Sequence, residues 1–197
     1  MVETASGSRQ KLLESTIELM SSRGFEAMGI HSILEASGVS KSNFYYHFKS
    51  KEDLCLAALD AMAEHFFAQY LDPILGDAGM SPRKRFEKLF RVMHEQMESG
   101  CCKKGCPFVN LASETSDFLP AFRERIDAFF ERYRKKLAAC YADGVECGEF
   151  RADVSPDQAA LMLLAAINGT VVLTKVERNP QLIKDGARTI LTLFATK

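Results

Sequence analysis

The stretch SGVSKSNFYYHFKSKEDL, Ser37 to Leu54, restricts the possible folds more than any other part of the chain. Phe44, Tyr45, Tyr46, His47 and Phe48 stand side by side, with lysines at 41, 49 and 51. Consecutive aromatic rings ask for a core, and lysines ask for water. A short helix satisfies both, because Phe44 and Phe48, four apart, share one face. Tyr45 then lies off that face, beside Lys41 and Ser42. Gly38 ends the preceding helix, and Ser40 is placed to cap the amide of residue 42 or 43. Gly38-Val39-Ser40 is thus a tight turn between two short helices. Such a helix-turn-helix presents its second helix to the major groove of DNA. No acidic residue occurs from Ala36 to Lys51, so the strip is locally positive and suited to phosphate. Tyr46 and His47 flank the groove face with donors for phosphate oxygens, and Lys51 opens the next helix, where amides and an ammonium can hold a phosphate.

The remainder reads as helix throughout. Leu12, Leu13, Thr16, Ile17, Leu19 and Met20 form an apolar stripe over 8–23, stopped by Gly24. A second helix covers 30–37, with Gly29 as its cap. A fourth runs from Lys51 to about Tyr70, followed by a Pro/Gly-containing break over 72–82. Helices are predicted over 83–98, 107–114 and 120–143. Ser155-Pro156-Asp157-Gln158 is a strong start for another, ending near Arg178, and Asn179-Pro180 precedes a last helix to about Phe194. No segment reads as a strand. The expected fold class is all-α: a three-helix helix-turn-helix DNA-binding domain over 1–50, then a helical domain over 51–197.

A chain of 197 residues with 47% hydrophobic and 26% charged residues fits a soluble protein with a real core. Its net charge of −1 excludes bulk attraction to polyanions, so any nucleic-acid surface must be local. The N-terminal MVETASGSRQ has no signal pattern, and the apolar run from Ala159 to Ile167 is too short to span a bilayer. A cytoplasmic location follows, and there the six cysteines are not expected to form disulfides.

From Gly24 to Leu54, GFEAMGIHSILEASGVSKSNFYYHFKSKEDL resembles the DNA-binding domain of the TetR family of transcriptional repressors. The resemblance rests on the glycine-aromatic pair, the second helix, the GVSK turn, the aromatic run and the KSKEDL start of the fourth helix. It implies that Lys41, Ser42 and Tyr45 approach bases, while Asn43, Tyr46, His47 and Lys51 contact the backbone. The chain departs from the family's usual threonine at Asn43 and its Ser or Thr at Gly29. The resemblance also implies that the helical domain over 51–197 serves effector binding and dimerisation. It further implies a double-stranded DNA operator, a homodimer, a small-molecule or electrophilic effector, and neither enzyme activity nor a cofactor. QAALMLLAAINGTVVLTKV is apolar on nearly every face, and Ala159, Ala165, Ala166 and Gly169 would allow close helix approach. With the last helix and the same pair from a second subunit it could form a four-helix interface. Phe66, Phe67, Met93, Met97, Phe129, Phe130 and Met162 are candidate pocket residues, although such stripes are more often core.

Cys106 precedes Pro107 at a helix start, downstream of Lys103 and Lys104, a setting that favours thiolate. GCPFVNLASE resembles the branch of the family that includes the electrophile-sensing repressor of N-ethylmaleimide reductase. That resemblance makes Cys106 a sensor and Lys175, in TKVER, an ammonium near it. The competing reading is a small, buried helix-start residue; for Cys55, Cys140 and Cys147 a structural role is expected. A metal site from Cys101, Cys102 and Cys106 with His94 is disfavoured, because no C-x-x-C pair exists. A thiol enzyme built on Cys106 lacks a base, since no histidine follows His94.

Overall fold

The computed structural model describes residues 5–103 and 105–196; Lys104, one of the lysines read beside Cys106, lies outside the described residues. The elements are α1 (Ala5–Arg23), α2 (Ile30–Ser37), α3 (Lys41–His47), α4 (Lys51–Phe66), α5 (Asp72–Leu75), α6 (Pro82–Ser99), α7 (Pro107–Thr115), α8 (Pro120–Glu146), α9 (Pro156–Glu177) and α10 (Gln181–Phe194). Among the described residues the only β-type pairing is an isolated Phe150–Ala195 bridge. The all-α expectation holds, on the element order and on the related folds described below.

One boundary differs from expectation. The chain does not break at Asp72: α4 passes through a wider π-type turn, Phe67–Leu71, and continues as α5 to Leu75. Pro73 is tolerated because it sits in the first turn of α5, where its missing N–H costs little. Elsewhere the signals in the sequence act as read. Gly38 adopts the left-handed conformation, with φ 66°, and its N–H closes α2 on the Leu34 carbonyl. Ser40 Oγ accepts the Asn43 amide at 3.3 Å. At Gly29, which has no side-chain oxygen, Ser32 Oγ takes the backbone N–H instead.

Packing divides the chain into two compact units. One joins the residues up to His65 to Pro107–Asp127; the other joins Phe66–Cys106 to the residues from Ala128 on. The placement of Pro107–Asp127 with the N-terminal helices was not anticipated by the functional division at residue 50. In the first unit, Leu12, Met20, Phe25, Met28, Ile33, Phe44, Leu54 and Phe122 form the core. The Phe25 and Phe122 rings meet edge to face at 4.9 Å.

In the second unit, Tyr141 stacks on Phe150 at 5.1 Å and meets Phe194 edge-on at 5.3 Å. The buried Arg85 donates to the Asp77, Met80 and Leu75 carbonyls and pairs with Asp143 at 2.7 Å, which compensates its charge. His94, also buried, sets Nδ1 2.9 Å from the Pro180 carbonyl, joining α6 to the start of α10. Helix α9 buries Ala160, Leu163, Ile167, Val171 and Thr174 on one side. Its other side exposes Leu161, Met162, Val172, Leu173 and Val176. By length and composition alone α9 is apolar enough to span a bilayer, a test that the core helix of a soluble protein also passes. The helix continues through Asn168–Thr170 into a second apolar run, and 22 residues result.

Candidate nucleic-acid interface

Helix α3 divides as its sequence dictates. Phe44 and Phe48 are buried with ring centroids 6.4 Å apart, and the Arg9 guanidinium lies 5.5 Å over the Phe48 ring. Tyr45 and Tyr46 are 51% and 75% exposed. Lys41, Ser42 and Asn43 are exposed too, and His47 is half-buried with its ring 4.9 Å from that of Tyr46. The exposed surface therefore carries an ammonium, a hydroxyl, an amide and two phenols within seven residues. Such groups donate to base edges and phosphate oxygens, and the phenol rings add apolar contact. Ser42 Oγ lies 3.0 Å from the capping hydroxyl of Ser40, so its orientation is coupled to the turn.

Lys51 has partners inside the unit that its place in the sequence does not signal. Its Nζ donates to the Phe25 and Met28 carbonyls, both at 3.0 Å, and sits 3.9 Å from the centre of the Phe25 ring. Two of the three ammonium protons are thereby committed inside the unit. A lysine at a helix start is attractive for phosphate in sequence, but the loop before α2 supplies carbonyls that need a donor. The exposed cation of this segment is Lys49, whose backbone N–H is held by the Asp53 carboxylate at 3.0 Å.

The α1–α2 loop is held by a second group that sequence reading missed. Glu114, on α7, accepts the Phe25 amide at 3.0 Å and the Glu26 amide at 2.7 Å. Nothing local in either segment signals a partner nearly ninety residues away.

In the second unit, Cys106 is half-buried near Tyr133, whose phenol is pushed well up, first by burial and then by the nearby Cys106. The preceding cysteines close α6: Cys101 and Cys102 take left-handed backbone conformations, and the Cys102 amide donates to the Met97 carbonyl at 2.8 Å. Arg178, three residues after Lys175, donates to the Cys102 carbonyl at 2.6 Å and ties this loop to the end of α9. Lys175 itself is half-buried in the last turn of α9. Cys55 and Cys140 are buried thiols pushed up to about 12 by desolvation, as inert structural cysteines should be. No disulfide links the cysteines, and no metal-binding group of three or more His, Cys, Asp or Glu occurs among the described residues. The pocket candidates separate. Phe66, Phe67 and Phe129 meet at 5.3–5.6 Å, with Tyr133 5.3 Å from Phe66, whereas Met162 lies on the exposed side of α9.

Residues 12–58 match the family model described as bacterial regulatory proteins, tetR family, and residues 82–190 match the tetracyclin repressor-like C-terminal domain. The transcriptional regulator AcuR of Cereibacter sphaeroides is 28% identical over 98% of this chain and 88% of its own length. The repressor DhaR of Mycobacterium sp. is 30% identical over 87% of this chain and 84% of its own. The reduced form of Escherichia coli NemR superposes with a TM-score of 0.86 and 25% identity, covering 96% of this chain and 98% of that one. The chain belongs to the TetR family: it is a DNA-binding transcriptional regulator, and its family and relatives are regulators rather than enzymes. Regulators of this family bind DNA and act as dimers.

Proposed function

We propose that the chain works in the cytoplasm as a dimeric repressor that binds an inverted-repeat operator and is released by an effector. The carrying observation is α3, which holds its core side with Phe44 and Phe48 and leaves Lys41, Ser42, Asn43, Tyr45 and Tyr46 in solvent. Residues 1–50 act as the DNA-binding domain and 51–197 as the effector and dimerisation domain. Lys41, Ser42 and Tyr45 reach bases; Asn43, Tyr46 and His47 reach phosphates. Lys51 supports this surface from behind, on the strength of its hydrogen bonds to the α1–α2 loop. The exposed apolar side of α9, with Leu193 of α10, is the dimer face. Two copies of α3 then read half-sites spaced by roughly 34 Å along the duplex. An effector acts only through unequal affinity for the conformers with and without DNA.

The effector is a reactive electrophile or oxidant at Cys106, with Lys175 as the nearby ammonium. With N-ethylmaleimide, the thiolate sulfur adds to one alkene carbon, and the neighbouring carbon takes a proton from water. With hypochlorous acid, the thiolate becomes a sulfenic acid and chloride leaves, the sulfur giving up two electrons to chlorine. The supporting observation is a half-buried thiol at the start of α7, beside a phenol. A second reading, a non-covalent apolar effector, is favoured by the aromatic group of Phe66, Tyr70, Phe129 and Tyr133.

The test is selection of an operator from random duplexes, followed by its titration with salt. Recovery of an inverted repeat with steeply salt-sensitive affinity is expected; binding without sequence preference would reject the reading. N-ethylmaleimide should release the wild-type protein and leave Cys106→Ser bound. Equal release of both would transfer the role to the apolar effector or another thiol.

A further inference from the structure

We propose that Glu114 is a positioning residue for DNA recognition, locking the α1–α2 loop so that the placement of α7 sets the placement of α3. The proposal rests on the DNA-binding reading above. Both carboxylate oxygens are used: Oε2 accepts the Phe25 N–H at 3.0 Å and Oε1 accepts the Glu26 N–H at 2.7 Å. These are charge-assisted bonds to two consecutive amides that no α1 carbonyl reaches. The approach requires Gly24. Its φ of 81° is left-handed, and a Cβ added there would stand 2.5 Å from Oε2 and 3.0 Å from Oε1. A single glycine thus ends α1 and opens the space that the carboxylate fills.

The loop is held from its other side as well. Lys51 takes the Phe25 and Met28 carbonyls, and the Phe25 ring lies between the Lys51 ammonium at 3.9 Å and Phe122 at 4.9 Å. Phe25 is therefore gripped at its N–H by α7, at its carbonyl by α4 and at its ring by α8. Five residues further on the chain enters α2, and a three-residue turn joins α2 to α3. A loop fixed at these points leaves α3 little freedom, and a pre-placed α3 has less ordering cost to meet on binding. Helix α7 has nine residues and begins directly after Cys106, so a shift of its start reaches Glu114 within about two turns. Loss of the clamp raises the ordering cost and weakens operator binding, without removing any group that touches DNA.

The experiment compares wild type with E114Q, E114A and G24A, on the duplex selected by the wild-type protein and on a scrambled duplex. Thermal unfolding and hydrogen exchange are recorded for each. Wild type should protect the Phe25 and Glu26 amides. All three variants should expose those amides and bind the selected duplex roughly tenfold more weakly, within the ordinary range of coupling between sites. Their affinity for the scrambled duplex should be unchanged. Glutamine keeps the shape but replaces one acceptor with a donor facing an N–H, so E114Q should behave like E114A. Wild-type operator affinity in E114Q and E114A would overturn the proposal. So would an equal loss on both duplexes, or a loss that follows the unfolded fraction, since either indicates simple destabilisation. A wild-type protein that selects no duplex would overturn the DNA-binding reading itself, and a protein that selects one while its Glu114 variants bind as well would overturn only the clamp.

Discussion

Helices α3 and α9 each bury one side and leave rings or aliphatic chains in solvent on the other, at similar exposure. Tyr45 and Tyr46 are 51% and 75% exposed; Leu161, Leu173 and Val176 are 52%, 53% and 74% exposed. What separates them is the polar chemistry alongside. On α3 the rings carry hydroxyls and stand with Lys41, Ser42 and Asn43, so the surface stays hydrated and offers donors. On α9 the exposed stripe runs through Ala165 and Gly169 with no polar tip to engage water. The first suits an exchange of water for phosphate and base edges, the second suits cover by protein. Exposure alone therefore identifies no partner; the donors beside the exposed carbon do.

The largest effect should come from placing charge on the apolar stripe. Leu161→Glu with Leu173→Glu puts carboxylates in the proposed dimer face and should raise the dimer dissociation constant by about a hundredfold or more. Sedimentation would show monomer, and a dimer unaffected by both changes would reassign the interface. Next is Tyr45→Ala, which should weaken the selected operator by roughly tenfold to a hundredfold. Unchanged operator affinity would remove Tyr45 from the groove. The two lysines then separate surface from support. Lys41→Ala should reduce the salt slope of DNA binding by about one, whereas Lys51→Ala should leave that slope intact. Lys51→Ala should instead cost about 2 kcal/mol of stability, because two carbonyls lose a charged donor. A reduced slope in Lys51→Ala, measured by salt titration, would restore its phosphate role. The smallest effect is kinetic. In the folded protein, thiol reagents followed by mass spectrometry should label the exposed Cys101 and Cys147 well before Cys55 and Cys140, whose thiols burial pushes up to about 12.

Helix starts and stops were legible because their signals are local. Gly38, Ser40 and the Ser155–Gln158 box each act within four residues of where they stand. The inward and outward sides of α3 were legible for the same reason, since spacing on a helix fixes which residues share a side. The carbonyl partners of Lys51 were not legible, because Phe25 and Met28 lie more than twenty residues away in a loop whose course no local pattern fixes. The continuation through Phe67–Leu71 was missed because Pro73 is a breaker in sequence, and only the backbone shows that it falls in the first turn of α5 after a wider turn. The length of α9 was legible from the Ser155–Gln158 start and the Asn179-Pro180 stop, because both signals are local.

By itself the sequence determined the all-helical fold, the helix-turn-helix and the buried and exposed sides of α3, because periodicity, capping and aromatic spacing act over a few residues. The tertiary structure decided which groups hold that module in place. Glu114, Phe122 and Lys51 converge on one loop from three helices distant in sequence. A carboxylate or an ammonium carries no mark in the sequence of the amide or carbonyl it will meet, and only the packed chain brings them within 3 Å.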